Sequence, residues 1–313
     1  MTLRAVALLL RAVAVGALVV GVAAAAGQLA ANHRGWALDA LAWAMLAMVV
    51  QVAMLAWAWW LLGGGWWPEG DRLLWLRSFA LGWVARYIPG PPTGPAGKLL
   101  ALREAGMAPP AVAALLWVDQ VLGLAAGVTA AAAMAVLAFG RDWAAVAGLA
   151  GAAALLLVVV GTRPALVRRL SGLFGRGGMH EAASVSRRRA VVVFVAMTGA
   201  AVVAGLAFHV TAVVVSPWPP GRWEEGTAVF CLASMAGYVA PFAPSGAGVR
   251  ESVIVALLGR ELGVSAAVAV AVVARASSVL VDAALLTGFY GASAMWRRAN
   301  RRRAGVALSN RRA

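Results

Sequence analysis

Seven ionisable residues stand in stretches that are otherwise apolar: Arg86, Lys98, Asp119, Arg250, Glu251, Arg275 and Asp282. An ionised group in hydrocarbon costs several kcal/mol unless it is paired or hydrated, so each of these needs a partner or a purpose. Arg86 stands three residues before the run Pro89-Gly90-Pro91-Pro92, and Lys98 follows it. Lys98 is the only lysine among the 27 basic residues. Arg250 and Glu251 follow a second run, Pro241-Phe242-Ala243-Pro244-Ser245-Gly246-Ala247-Gly248. Arg275 and Asp282 lie seven residues apart, close to one face of a helix. Cations next to broken backbone can hold an anion, helped by the free amides that open each following half-helix. On this reading Lys98, Arg250 and Arg86, with Gly97, Ser245, Gly246 and Gly248, form an anion site. Asp119, Glu251, Arg275 and Asp282 form a charge network beside it. The structural alternative is mutual pairing, for example Arg275 with Asp119 or Asp282, with Arg86 snorkelling to an interface.

Catalytic chemistry finds less support. The three histidines, His33, His180 and His209, are too scattered to share a metal, and no His-Glu-x-x-His pair exists. Cys231 is the only cysteine, so neither a disulfide nor a cysteine-based metal site can form within one chain. Ser245 would need His209 as its base, and nothing in the sequence brings the two together. The glycines around Ser245 suit a backbone break better. His209, alone in its apolar run, reads as a hydrogen-bonded packing residue. The expectation is a protein with no catalytic residue, no metal and no cofactor.

The elements that position these residues are read from composition and proline. The chain is 63% hydrophobic and only 12% charged, too few charges to wet a soluble surface. Long apolar runs at 12–31, 36–62, 109–139, 143–161, 190–216 and 264–296 predict about six spanning helices. The first is too long for a typical signal peptide, and a second run follows at once, so it reads as an uncleaved span. Trp57, Trp59, Trp60, Trp66 and Trp67 mark a membrane boundary. Two further apolar segments are short and broken. Residues 79–88 stop at the first Pro/Gly run and resume as a half-helix at 98–104. Residues 226–240 stop at the second run and resume at 249–261. Prolines there remove amide donors and clash with the preceding turn.

The two broken regions resemble each other. Both end in one pattern, Arg103-Glu104-Ala105-Gly106-Met107 and Arg260-Glu261-Leu262-Gly263-Val264, 157 residues apart in a chain of 313. Arg103-Glu104 and Arg260-Glu261 read as residues at membrane edges. The net charge of +15 sorts by position. Arg163, Arg168, Arg169, Arg176, Arg187, Arg188 and Arg189 follow one span, and seven more arginines fill the tail from Arg297 to Arg312. With both clusters and the N-terminus in the cytoplasm, eighteen basic residues lie inside and only Arg34, Arg141 and Arg222 outside. That arrangement requires each broken region to enter and leave on one side, the first from the cytoplasm and the second from outside. Full crossing by the second would export the tail. The charge therefore reads as membrane orientation and not as nucleic-acid binding, since no aromatic side chains are interleaved to stack bases.

A family resemblance rests on these same residues. Arg86-Tyr87-Ile88-Pro89-Gly90, followed by Gly97-Lys98 and Arg103, resembles the first motif of the lysylphosphatidylglycerol synthetase/flippase transmembrane-domain family. Pro244-Ser245-Gly246-Ala247-Gly248-Val249-Arg250-Glu251 resembles its second, read as Pro-Gly-Gly-x-Gly-x-Arg-Glu. Pro91-Pro92 stand where a basic residue often follows Pro-Gly, and Ser245 replaces a glycine. The resemblance implies lipid translocation, or a partner role beside lipid-linked glycosyl transfer. It does not imply aminoacyl transfer, because a short basic tail stands where that domain would follow.

The expectation is one all-α polytopic domain over residues 1–313, in the cell membrane, with both termini cytoplasmic. Six full spans and two re-entrant broken helices make two inverted repeats, 12–139 and 143–296, ahead of a basic tail at 297–313. The site would take an anionic phospholipid or polyprenyl-phosphate-linked headgroup. Membrane lipids are the expected partners, with no nucleic acid. The alternative is a non-transporting subunit that partners a glycosyltransferase or lipid-modifying enzyme, and assembly with further copies of the chain is left open.

Overall fold

A computed structural model describes residues 37–64, 67, 73–88, 93–173, 185–240 and 244–310, with only the helical backbone described from 290 onward. The described residues form ten α-helices and no strand. In chain order they are α1 (Ala37–Gly63), α2 (Leu74–Ala85), α3 (Thr93–Glu104), α4 (Pro109–Phe139), α5 (Ala144–Gly161), α6 (Pro164–Gly172), α7 (Arg187–Val215), α8 (Trp223–Val239), α9 (Val249–Leu262) and α10 (Val264–Asn310). Five helices are long and apolar enough to cross a bilayer, at Leu38–Gly63, Pro109–Phe139, Arg141–Gly161, Arg187–Val215 and Val264–Phe289. The chain is therefore a multi-pass membrane protein. The sixth expected span, 12–31, lies outside the described residues.

Local chemistry sets the boundaries. Pro109 and Pro110 open α4, where a missing amide costs nothing because the first turn has no acceptor for it. Gly140 at φ 78° ends α4, and Gly263 at φ 79° ends α9, a conformation glycine adopts without strain. Ser186 caps α7 by accepting from the Arg189 amide at 3.3 Å.

Three expectations need correction. The half-helix after the first break starts at Thr93, five residues before the expected 98, because Pro95 in its first turn lacks only an amide that would be unpaired anyway. The Arg-rich loop holds a short helix, α6, whose Val167 is buried in the core while Arg168 and Arg169 stay exposed. The tail at 297–313 is not separate from the last span, since α10 runs on to Asn310.

Four short helices form two hairpins. The α2 and α3 helices have 12 residues each, about 18 Å at 1.5 Å per residue, short of the roughly 30 Å hydrocarbon core. The α8 and α9 helices have 17 and 14 residues, about 25 and 21 Å. The arms touch closely. A Cβ on Gly97 would stand 2.6 Å from the Leu81 carbonyl oxygen, and one on Gly82 would stand 2.9 Å from that of Gly94. In the second hairpin a Cβ on Gly237 would stand 3.1 Å from the Gly246 Cα.

The hairpins open toward opposite ends of the bundle. At one end Trp59 and Leu62 of α1, Leu74 of α2, Leu102 of α3, Val112 of α4 and Val193 of α7 share a core. At the other end Val215 of α7, Val229 of α8, Leu258 of α9 and Ala267 of α10 share another. Arg222, just before α8, bridges to Glu225 and to Glu261 near the end of α9, so both arms of the second hairpin meet there. The hydrogen bonds it donates to Glu225 and Glu261 push the Arg222 guanidinium above its ordinary range.

Candidate functional site

Between the hairpins lies a cavity of about 600 Å³. Both hairpins contribute to its wall, along with α1, α4, α7 and α10. Four cations line it, Arg86, Lys98, Arg250 and Arg275, with two carboxylates, Asp119 and Asp282. Ser245 and Gly246 line it from the second break.

Lys98 projects from α3 onto α4. Its Nζ donates to Asp119 Oδ2 at 2.7 Å and lies 3.9 Å from the centre of the Trp59 ring. Trp59 is fixed in turn, since its Nε1 donates to Ser78 at 2.9 Å. Gln120 Nε2 donates to Asp119 at 3.1 Å, and the Tyr238 hydroxyl donates to Gln120 Oε1 at 2.8 Å. One polar chain thus runs from α3 through α4 to α8.

Asp282, on α10, is held from the first hairpin. Arg86 and the Tyr87 hydroxyl both donate to its Oδ2, and Trp83 Nε1 donates to Oδ1 at 2.8 Å. The Arg86 guanidinium lies 3.6 Å from the centre of the Trp83 ring. Arg86 therefore does not snorkel; burial of Asp282, 5% exposed at its side chain, draws the arginine inward.

The second break is strained. Ser245 takes φ 52° and ψ 30°, the left-handed region, where a side chain costs energy that glycine avoids. Gly246 and Gly248 follow at φ 68° and 86°. The Gly248 amide donates to Glu251 Oε2 at 2.7 Å, closing the start of α9. Glu251 Oε1 lies 3.7 Å from Arg250 Nε and 3.9 Å from Arg275, beyond hydrogen-bond reach. Arg275 donates to the Ser245 carbonyl at 3.2 Å.

The predicted residues thus divide. The structure brings Arg86, Lys98, Asp119, Ser245, Gly246, Arg250, Arg275 and Asp282 to one cavity. Gly97 is not among its lining residues; it is buried where α3 crosses α2, a spacer that lets the backbones approach. Gly248, which is exposed, and Glu251 are not among the lining residues either. Arg275 pairs with neither Asp119 nor Asp282, because Lys98 and Arg86 reach those carboxylates first. Arg103, Glu104, Arg260 and Glu261 are exposed, and Glu261 is paired. His209 Nε2 lies 3.1 Å from the Pro220 carbonyl oxygen, as a packing residue should. Among the described residues no group of three metal-ligand side chains occurs.

Sequence reasoning missed Trp59, Trp83, Tyr87, Gln120 and Tyr238 as site residues. A signal was present for three of them. Tyr87 and Tyr238 each stand just before a break, in Tyr-Ile-Pro and Tyr-Val-Ala-Pro, and Gln120 is a second polar residue beside Asp119 in an apolar helix. Compared with known proteins, the chain matches no family model and no curated protein. The site is therefore read from its own geometry.

Proposed function

We propose that this chain is a lipid translocase, with the cavity between its hairpins as the path of an anionic headgroup. The observation that carries the reading is the cavity, with four cations against two carboxylates, walled by broken helices from both halves. Non-helical backbone is tolerated at membrane depth only where it is buried in protein or lines a wet space. Short interrupted segments in matching halves are where transporters bind their cargo. The opposite openings of the hairpins support re-entrant segments from opposite faces, and with them inverted repeats. Positive charge then sets orientation: the end with Arg163, Arg187 and Arg188 faces the cytoplasm of the cell membrane. The resemblance of both breaks to the lysylphosphatidylglycerol synthetase/flippase family adds the expectation of a lipid cargo.

Acyl chains stay in the bilayer while the headgroup enters the cavity. Rocking of one half against the other would expose it to each face in turn. Such a motion must part Tyr87 from Asp282 and Tyr238 from Gln120, since each tyrosine reaches the long helix of the other half.

The test is a fluorescent phospholipid in proteoliposomes, read by dithionite quenching. The wild-type protein should expose more than the outer-leaflet share, and Arg250→Ala should slow that exposure at least tenfold. Equal exposure with and without the protein would remove the translocase and leave the subunit reading. Topology is checked separately in a Cys231→Ser background. Cysteines at Thr93 and Ala247 should label from opposite faces.

A further inference from the structure

The cavity's four cations are not equivalent, and the difference points to a chemical class of headgroup. We propose that the anion sits between Arg250 and Arg275, and that this subsite takes one phosphodiester, a headgroup with a single net negative charge. The inference rests on the translocase reading and deepens it.

Two of the cations are already engaged. Lys98 is neutralised by Asp119 at 2.7 Å, with its remaining surface against Trp59. Arg86 is neutralised by Asp282, which also accepts from Tyr87 and Trp83. These pairs hold α3 on α4 and α2 on α10. They keep the fold and leave no charge for a ligand.

Arg250 and Arg275 are different. They share one carboxylate, Glu251, at 3.7 and 3.9 Å, with no hydrogen bond to it. Two guanidiniums carry ten N–H donors between them. Among the described residues, one of those donors makes a hydrogen bond, from Arg275 to the Ser245 carbonyl. Arg250 Nε and Glu251 Oε1 are both buried with no partner; Arg86 Nε is too, but its guanidinium is already neutralised by Asp282. A buried donor without an acceptor is costly, and both guanidiniums line a cavity that an acceptor can enter. Planar guanidiniums bind the paired oxygens of a phosphate in a fork, which an ammonium cannot do.

Charge then selects among phosphates. Arg250, Arg275 and Glu251 together carry a net charge of +1, from two cations and one carboxylate. A phosphodiester brings this to zero. A phosphomonoester dianion or a diphosphate would leave excess negative charge in a low-dielectric space, where it is costly.

The experiment is calorimetry on the intact protein in detergent at pH 8.5. The probes are dioctanoyl phosphatidylglycerol, dioctanoyl phosphatidate and dioctanoylglycerol, which share their chains and differ in headgroup charge. Phosphatidylglycerol should bind at least tenfold more tightly than phosphatidate, and dioctanoylglycerol more weakly than both. Arg275→Gln should weaken phosphatidylglycerol at least tenfold. Arg275→Lys, which keeps the charge and loses the fork, should also weaken it, and it serves if the glutamine variant fails to fold. Glu251→Gln raises the site to +2 and should favour phosphatidate over phosphatidylglycerol. Tighter phosphatidate binding by the wild type, or full affinity in both Arg275 variants, overturns the proposal. If binding follows this pattern but no lipid moves in proteoliposomes, the site stands and the translocase falls. Lipid movement that the wild type shows and Arg275→Gln leaves unchanged overturns the site and leaves the translocase.

Discussion

Removing Asp119 alone should cost far more stability than removing it together with Lys98. The Lys98–Asp119 contact is 2.7 Å long, with side-chain exposures of 14% and 6%. Asp119→Ala leaves the largely buried Lys98 ammonium without its carboxylate. Breaking one partner of such a pair costs about 3–5 kcal/mol, because the other charge stays buried and unpaired. The double replacement, Lys98→Met with Asp119→Leu, removes both charges and fills their volume. It should recover to within about 1 kcal/mol of wild type, since well-packed apolar side chains often substitute for a buried pair without loss. At about 2 °C per kcal/mol for a chain of this size, the single variant should melt about 6–10 °C lower. The molecule carries its own reporter. Cys231 is the only cysteine and is 3% exposed, so a fluorogenic maleimide reacts as heat opens the fold. If the double variant melts as low as Asp119→Ala, the pair is not the neutral strut described here, and the charge count around the cavity fails with it.

Three further outcomes follow from the geometry. Gly97→Ala should destabilise by about 1–3 kcal/mol in the same melt, since its methyl would meet the Leu81 carbonyl at 2.6 Å and neither backbone can yield freely. Ser245→Gly should be neutral or stabilising by up to about 1 kcal/mol, while Ser245→Val should lose about 1–2 kcal/mol, because φ 52° suits glycine and opposes a branched side chain. Tyr87→Phe and Tyr238→Phe each remove one hydrogen bond between the halves, worth about 1 kcal/mol, and should each speed lipid movement about fivefold if parting the halves limits the rate. Unchanged or slower movement in both would show that these contacts do not hold the resting state.

The sequence by itself determined what each segment is. Apolar length set the spans, and the expected bounds at 109–139 are those of α4. Proline and glycine set the breaks, because a missing amide or a positive φ is a local matter that needs no neighbour. The cost of charge in an apolar stretch singled out the seven ionisable residues, and six of them line the cavity. Tertiary structure alone decided their partners. Lys98 meets Asp119 across 21 positions and Arg86 meets Asp282 across 196. No periodicity encodes such meetings, since helices apolar on every side carry no stripe to say which face turns toward which neighbour. For the same reason Gly97 read as part of the anion site, and only the packing shows it as the crossing point of α3 on α2. The packing of small residues sets that crossing.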